Sequence, residues 1–102
     1  IDLTKRKRET EVENNCNLAI SYLNTILQKL ETVDEKSLKR QVDVTDNLGL
    51  GNTEITYTFT GLLAQANSHT IHHYAIINYI LAGLNLKILD SDFGYNPSTV
   101  KS

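Results

Sequence analysis

Residues 59–84 read FTGLLAQANSHTIHHYAIINYILAGL, and this stretch decides the fold that the sequence predicts. Its apolar side chains recur at steps of three and four, which is the period of an amphipathic α-helix. The stripe consists of Leu62, Leu63, Ala66, His69, His73, Ile76, Ile77, Ile80, Leu81 and Leu84. We therefore predict one long helix over residues 59–84, with two histidines inside its apolar stripe.

All three histidines of the chain fall within five consecutive positions of that helix. His69 and His73 stand four residues apart, so both imidazoles leave the same face and could reach one metal ion. His72 lies about 100° from His73 around the helix and is expected to stay outside the pair. A catalytic metal site usually has three protein ligands, and the chain has no further histidine. The alternative is a hydrogen-bonded pair inside a polar core network.

Three other segments complete the chain. Residues 5–32 carry a second helical pattern, with the stripe Val12, Cys16, Ala19, Ile20, Leu23, Ile26, Leu27 and Leu30. Residues 36–58 alternate apolar with polar side chains around the turn-forming residues 46–52, which predicts a short β-hairpin or an irregular arm. Residues 85–102 have no periodicity and are predicted to form a tail.

The predicted fold class is mainly all-α. Two long antiparallel helices would belong to a four-helix bundle, with the short β-hairpin or irregular arm between them. Helices with one apolar stripe each normally pack in bundles of three or four, so two helices leave much of both stripes uncovered. The missing helices could come from sequence upstream of Ile1, from a second copy of the chain or from a partner. Of these we expect a second copy, which gives a homodimer.

Composition limits the class of protein. A length of 102 residues suits a single small domain. The formal charge of −2 gives no reason to expect nucleic acid or a membrane as a partner. The single cysteine, Cys16, excludes an intramolecular disulfide and is typical of a reducing compartment, so we expect a cytoplasmic protein. Because the chain contains no methionine, Ile1 is not expected to be the natural start.

Two motifs together resemble a known family. Ser68-His69-Thr70-Ile71-His72-His73-Tyr74-Ala75-Ile76-Ile77, followed by Asp92-Phe93-Gly94-Tyr95-Asn96-Pro97-Ser98-Thr99, is similar to the C-terminal part of the DinB-like (YfiT-like) metal-dependent enzymes. The basic start, residues 6–10, also looks like the opening of a middle helix in that family. The resemblance implies that residues 1–102 are one domain, an N-terminally truncated DinB-like four-helix bundle.

The resemblance also implies a metal site and a class of activity. In that family three histidines hold a divalent metal, and the His-x-x-x-His part of the set maps onto His69 and His73. The third histidine would lie on an earlier helix, upstream of this sequence, so the chain alone is expected to be inactive. The implied cofactor is nickel or zinc. The implied function is that of a hydrolase or thiol-dependent transferase acting on a small molecule, with no catalytic side chain identified. The alternative is a non-catalytic helical association module.

Overall fold

The fold, seen in a computed structural model, is described for residues 1–99, so positions 100–102 of the expected tail lie outside the described residues. Helix occupies 51% and strand 15% of the part described. In chain order the elements are α1 (Thr10–Asn14), α2 (Cys16–Glu31), α3 (Glu35–Leu38), β1 (Gln41–Asn47), β2 (Asn52–Thr58) and α4 (Phe59–Gly83). The predicted all-α four-helix bundle is wrong, because residues 41–58 form two full seven-residue strands in a helix–strand–strand–helix arrangement.

The chain divides into two compact units. The first covers Ile1–Thr60 and contains α1, α2, α3 and the hairpin, and the second begins at Gly61 and contains most of α4. The two long helices therefore belong mainly to different units. Their antiparallel packing, and their union in one domain, stay predictions.

The first helical stretch is shorter than its periodicity predicts. Asn15 has an extended backbone (φ −137°, ψ 108°), which separates α1 from α2. Its side-chain oxygen accepts hydrogen bonds from the backbone N–H groups of Asn17 and Leu18, at 3.0 and 3.2 Å. The expected single helix over residues 5–32 is thus wrong, because asparagine satisfies free N–H groups at a helix start better than it continues a helix.

A second side-chain cap starts the short helix α3. The carboxylate of Asp34 accepts a hydrogen bond from the backbone N–H of Ser37 at 2.8 Å. This bond favours the ionised carboxylate and holds the pKa of Asp34 below its usual value. Two residues, Lys39 and Arg40, then separate α3 from β1.

Strands β1 and β2 form the predicted hairpin. They pair antiparallel, with Val44 opposite Ile55, and Val44 is fully buried. Gly49 and Gly51 have φ values of +114° and +104°. Residues with a side chain rarely adopt such values, so the turn depends on glycine at both positions. Residues 1–3 lie against the other edge of β1, where the N–H groups of Leu3 and Thr45 donate to the carbonyls of Thr45 and Ile1, each at 2.8 Å.

Helix α4 has nearly the predicted extent, since it begins at Phe59 and ends at Gly83 rather than Leu84. Asn85 adopts a left-handed backbone with φ +59°. The N–H of Asn85 donates to Ala82 and that of Leu86 donates to Leu81, a Schellman motif that satisfies the last carbonyls of the helix. None of the helices among residues 1–99 is both long and apolar enough to cross a membrane.

Candidate metal centre on helix α4

His69 and His73 form a close pair on α4. Their Nε2 atoms are 2.8 Å apart, and their ring centroids are separated by 4.7 Å. The pair is a direct product of the helix, because side chains at i and i+4 lie above one another on one face. The structure thus brings together the two histidines that the spacing singled out.

His72 is not part of this close pair. Its ring stands edge-on to that of His73, with centroids 6.0 Å apart and planes inclined by 72°. The helical rotation of about 100° per residue directs it to a flank of the helix. His72 is therefore a natural control for any property assigned to the other two histidines.

The geometry of the pair fits a bound transition metal. Imidazole nitrogens lie about 2.0–2.1 Å from zinc, so two of them are about 2.9 Å apart at a right angle and about 3.3 Å apart at a tetrahedral angle. The observed 2.8 Å between the Nε2 atoms is close to the first value. The same separation is also that of a hydrogen bond between two neutral imidazoles, one donating and the other accepting.

The surroundings of the pair differ from those expected. The sequence pattern placed both histidines in an apolar interior, whereas all three histidines are exposed in this chain. Their stripe is not covered by another element of the second unit, which explains the exposure.

The tail of the second unit packs on α4, a contact that sequence reasoning missed. The ring of Phe93 stacks on Tyr74 with centroids 4.7 Å apart, and the Asn78 side-chain amide donates a hydrogen bond to the Phe93 carbonyl. The sequence signal was the aromatic and glycine pair, Phe93 and Gly94, in a segment without periodicity. A tail of this kind leaves no periodic pattern from which its docking could be predicted.

The ligand set of one chain is incomplete for a catalytic centre. Across residues 1–99, no group of three or more histidine, cysteine, aspartate or glutamate side chains is placed to hold a metal ion. His69 and His73 therefore offer two ligands, and further ligands would have to come from elsewhere. Comparison with known proteins adds nothing to this geometry, since no family model, curated protein or solved structure matches the chain.

Proposed function

We propose that this chain belongs to a metal-dependent enzyme in which His69 and His73 bind a divalent ion, nickel or zinc. The reaction class is that of a hydrolase or a thiol-dependent transferase acting on a small molecule. The observation that carries the proposal is the 2.8 Å separation of the two Nε2 atoms, on one exposed helix face. The resemblance of the histidine and Asp-Phe-Gly segments to DinB-like enzymes supplies the reaction class.

The side chains of the pair suit this role in three respects. Both present Nε2 toward the same point, and imidazole is a good ligand for zinc and nickel. Both are accessible to an ion and to a substrate. Both sit on a regular helix, which holds their Cβ atoms in a fixed relation without help from a loop.

A divalent ion with open positions would lower the pKa of a bound water or thiol and so supply a nucleophile near neutral pH. The contribution of the chain itself is to hold the ligands. Ile76, one helical turn beyond His73, and Ala66, one turn before His69, place apolar side chains on either side of the pair. Apolar neighbours of this kind favour substrates with a hydrocarbon portion next to the reacting group.

A second candidate function also has a specific observation in its favour. The contact between the Nε2 atoms is the hydrogen bond that two metal-free imidazoles would make, and the apolar stripes of α2 and α4 are exposed. Both features fit a non-catalytic helical association module, in which the histidines become part of a polar network at the interface. The two candidates differ in one measurable property, which is metal binding.

Elemental analysis after equilibration with nickel or zinc tests the proposal. We expect bound metal in the unmodified chain and its loss in the His69→Ala, His73→Ala double variant. Each single substitution should weaken the affinity by more than about tenfold, because it removes one of few ligands. His72→Ala is the matched control and should bind metal like the unmodified chain. Equal metal content in the unmodified chain and the double variant would leave the association module as the better account.

A further inference from the structure

One face of α4 is left open while the tail covers another. The covered side is marked by Tyr74 and Asn78, which contact Phe93. On a helix with 3.6 residues per turn, these two positions lie about 120° and about 160° from the midpoint of His69 and His73. The tail of the chain is thus bound away from the histidine face, and that face stays accessible.

The open face is apolar on either side of the histidines. Ile76 and Ile80 follow His73 along the same face, and their side chains are 42% and 57% exposed. Leu62 and Ala66 precede His69 within the same stripe. A contiguous apolar face of this kind on a helix marks a surface that a partner covers.

The absence of charge on α4 is compatible with a second copy of the chain as the partner. The 25 residues of the helix include no aspartate, glutamate, lysine or arginine. In a two-fold contact each residue of a surface meets residues of the same surface. A charged side chain would therefore come close to a second charge of the same sign and be repelled by it. The face around His69 and His73 avoids this repulsion, since imidazoles that bind metal are neutral. The helix face is therefore compatible with a second copy of itself.

The number of ligands supports the same partner. One chain brings two Nε2 atoms to one point, and zinc in protein sites is most often held by four ligands. Two copies related by a two-fold axis through that point would supply four imidazoles from His69 and His73 of each chain. Nickel accepts the same four nitrogens and would retain further positions for a substrate.

We propose that the metal bound by His69 and His73 is shared between two copies of this chain, which meet across the open face of α4. The proposal rests on the metal site proposed above and names the source of its missing ligands. Association of the two chains and binding of the metal then depend on each other. A single chain holds the ion weakly, and the pair of chains holds it with twice the number of ligands.

The test combines metal content with molecular mass. Untagged protein is stripped with a chelator, and its mass is measured by light scattering before and after the addition of nickel. We expect half a nickel ion per chain at saturation, together with a mass that rises above that of the stripped protein. Both changes should be absent in the His69→Ala, His73→Ala double variant and retained in His72→Ala.

A substitution outside the ligand set tests the face itself. Ile80→Lys places a charge on the open face two turns beyond His73, at a side chain that is already exposed. It should abolish the nickel-dependent change in mass and weaken nickel affinity at least tenfold, although both imidazoles remain. Tyr79→Lys, on a flank of the same helix and also exposed, is the control and should behave like the unmodified chain.

The outcomes separate the two proposals. One nickel ion per chain at unchanged mass would overturn the shared site and leave the metal site of the proposed function standing. Nickel binding no greater than that of the double variant would overturn both. A nickel-dependent mass that survives in Ile80→Lys would show that the chains meet elsewhere and would also overturn the shared face.

Discussion

Gly94 lies where the tail of the second unit approaches α4. Its φ of +83° is in the left-handed region that favours glycine. A Cβ added there would stand 2.5 Å from the Asn78 side-chain nitrogen and 3.1 Å from the Tyr74 carbonyl oxygen. The residue thus serves both the backbone conformation of the tail and its close approach to the helix.

Substitution of this glycine should release the tail. In Gly94→Ala, the steric clash adds to a backbone cost of about 1–2 kcal/mol for a left-handed alanine, and the amide protons of Phe93 and Tyr95 should exchange faster with solvent. Gly49→Ala is the matched control, because φ is +114° but no atom lies within 4 Å of the added Cβ. Unchanged exchange at Phe93 in Gly94→Ala would show that the tail is not held through this approach.

The histidine pair shows how far residue-level reasoning reaches. The proximity of His69 and His73 was predictable, because it depends only on helical geometry within one element. Their exposure was not, because it depends on which surfaces cover the stripe. Apolar periodicity reports that a face favours burial, and it carries no information about whether the partner belongs to the same chain.

At the scale of single elements, Asn15 shows how a local bond divides a continuous pattern. The apolar stripe runs from Val12 through Cys16 without a break in its period. The Asn15 side chain nevertheless accepts hydrogen bonds from the free backbone N–H groups of Asn17 and Leu18, and a new helix, α2, begins at Cys16. Neighbouring asparagines at 14 and 15 were the available sequence signal, since this residue type favours helix starts over helix interiors.

Removing this cap should weaken α2. Asn15→Ala should lower the free energy of unfolding by about 1 kcal/mol, because two backbone N–H groups lose their acceptor. Asn15→Asp should retain most of the stability, since its carboxylate accepts the same bonds and lies favourably at a helix N-terminus. Urea unfolding followed by circular dichroism measures both. Equal loss in the two variants would indicate that packing around the asparagine amide, rather than capping, is responsible.

At the scale of the whole molecule, little apolar surface is buried. Val44 is the single fully buried hydrophobic residue among those described, and most large side chains of the α2 stripe are exposed. Full burial of one such side chain contributes about 1.5–3 kcal/mol, which is a large share of the net stability of a small domain, about 5–15 kcal/mol. These faces therefore favour association, and a homodimer remains our expectation for the protein.

The stripe of α2 provides a test of association without metal. In the presence of a chelator, light scattering should give a mass above that of one chain, and Leu27→Lys should reduce it, because a charge would enter the apolar contact. Leu27 is 56% exposed, so the substitution disturbs no core of the single chain. Leu50→Lys is the control, since Leu50 projects fully from the hairpin turn. A cooperatively folded monomer at all concentrations would contradict the expectation.

The features determined by the sequence alone are those that arise within one element. The extent of α4, the hairpin around Gly49 and Gly51 and the approach of His69 to His73 all follow from periodicity, turn chemistry or helical spacing. Tertiary structure decided that residues 1–3 lie along β1, that Phe93 docks on Tyr74 and that Val44 is the buried residue of the hairpin. These contacts join segments distant in sequence, and their free energy depends on surfaces that meet only after the elements have formed.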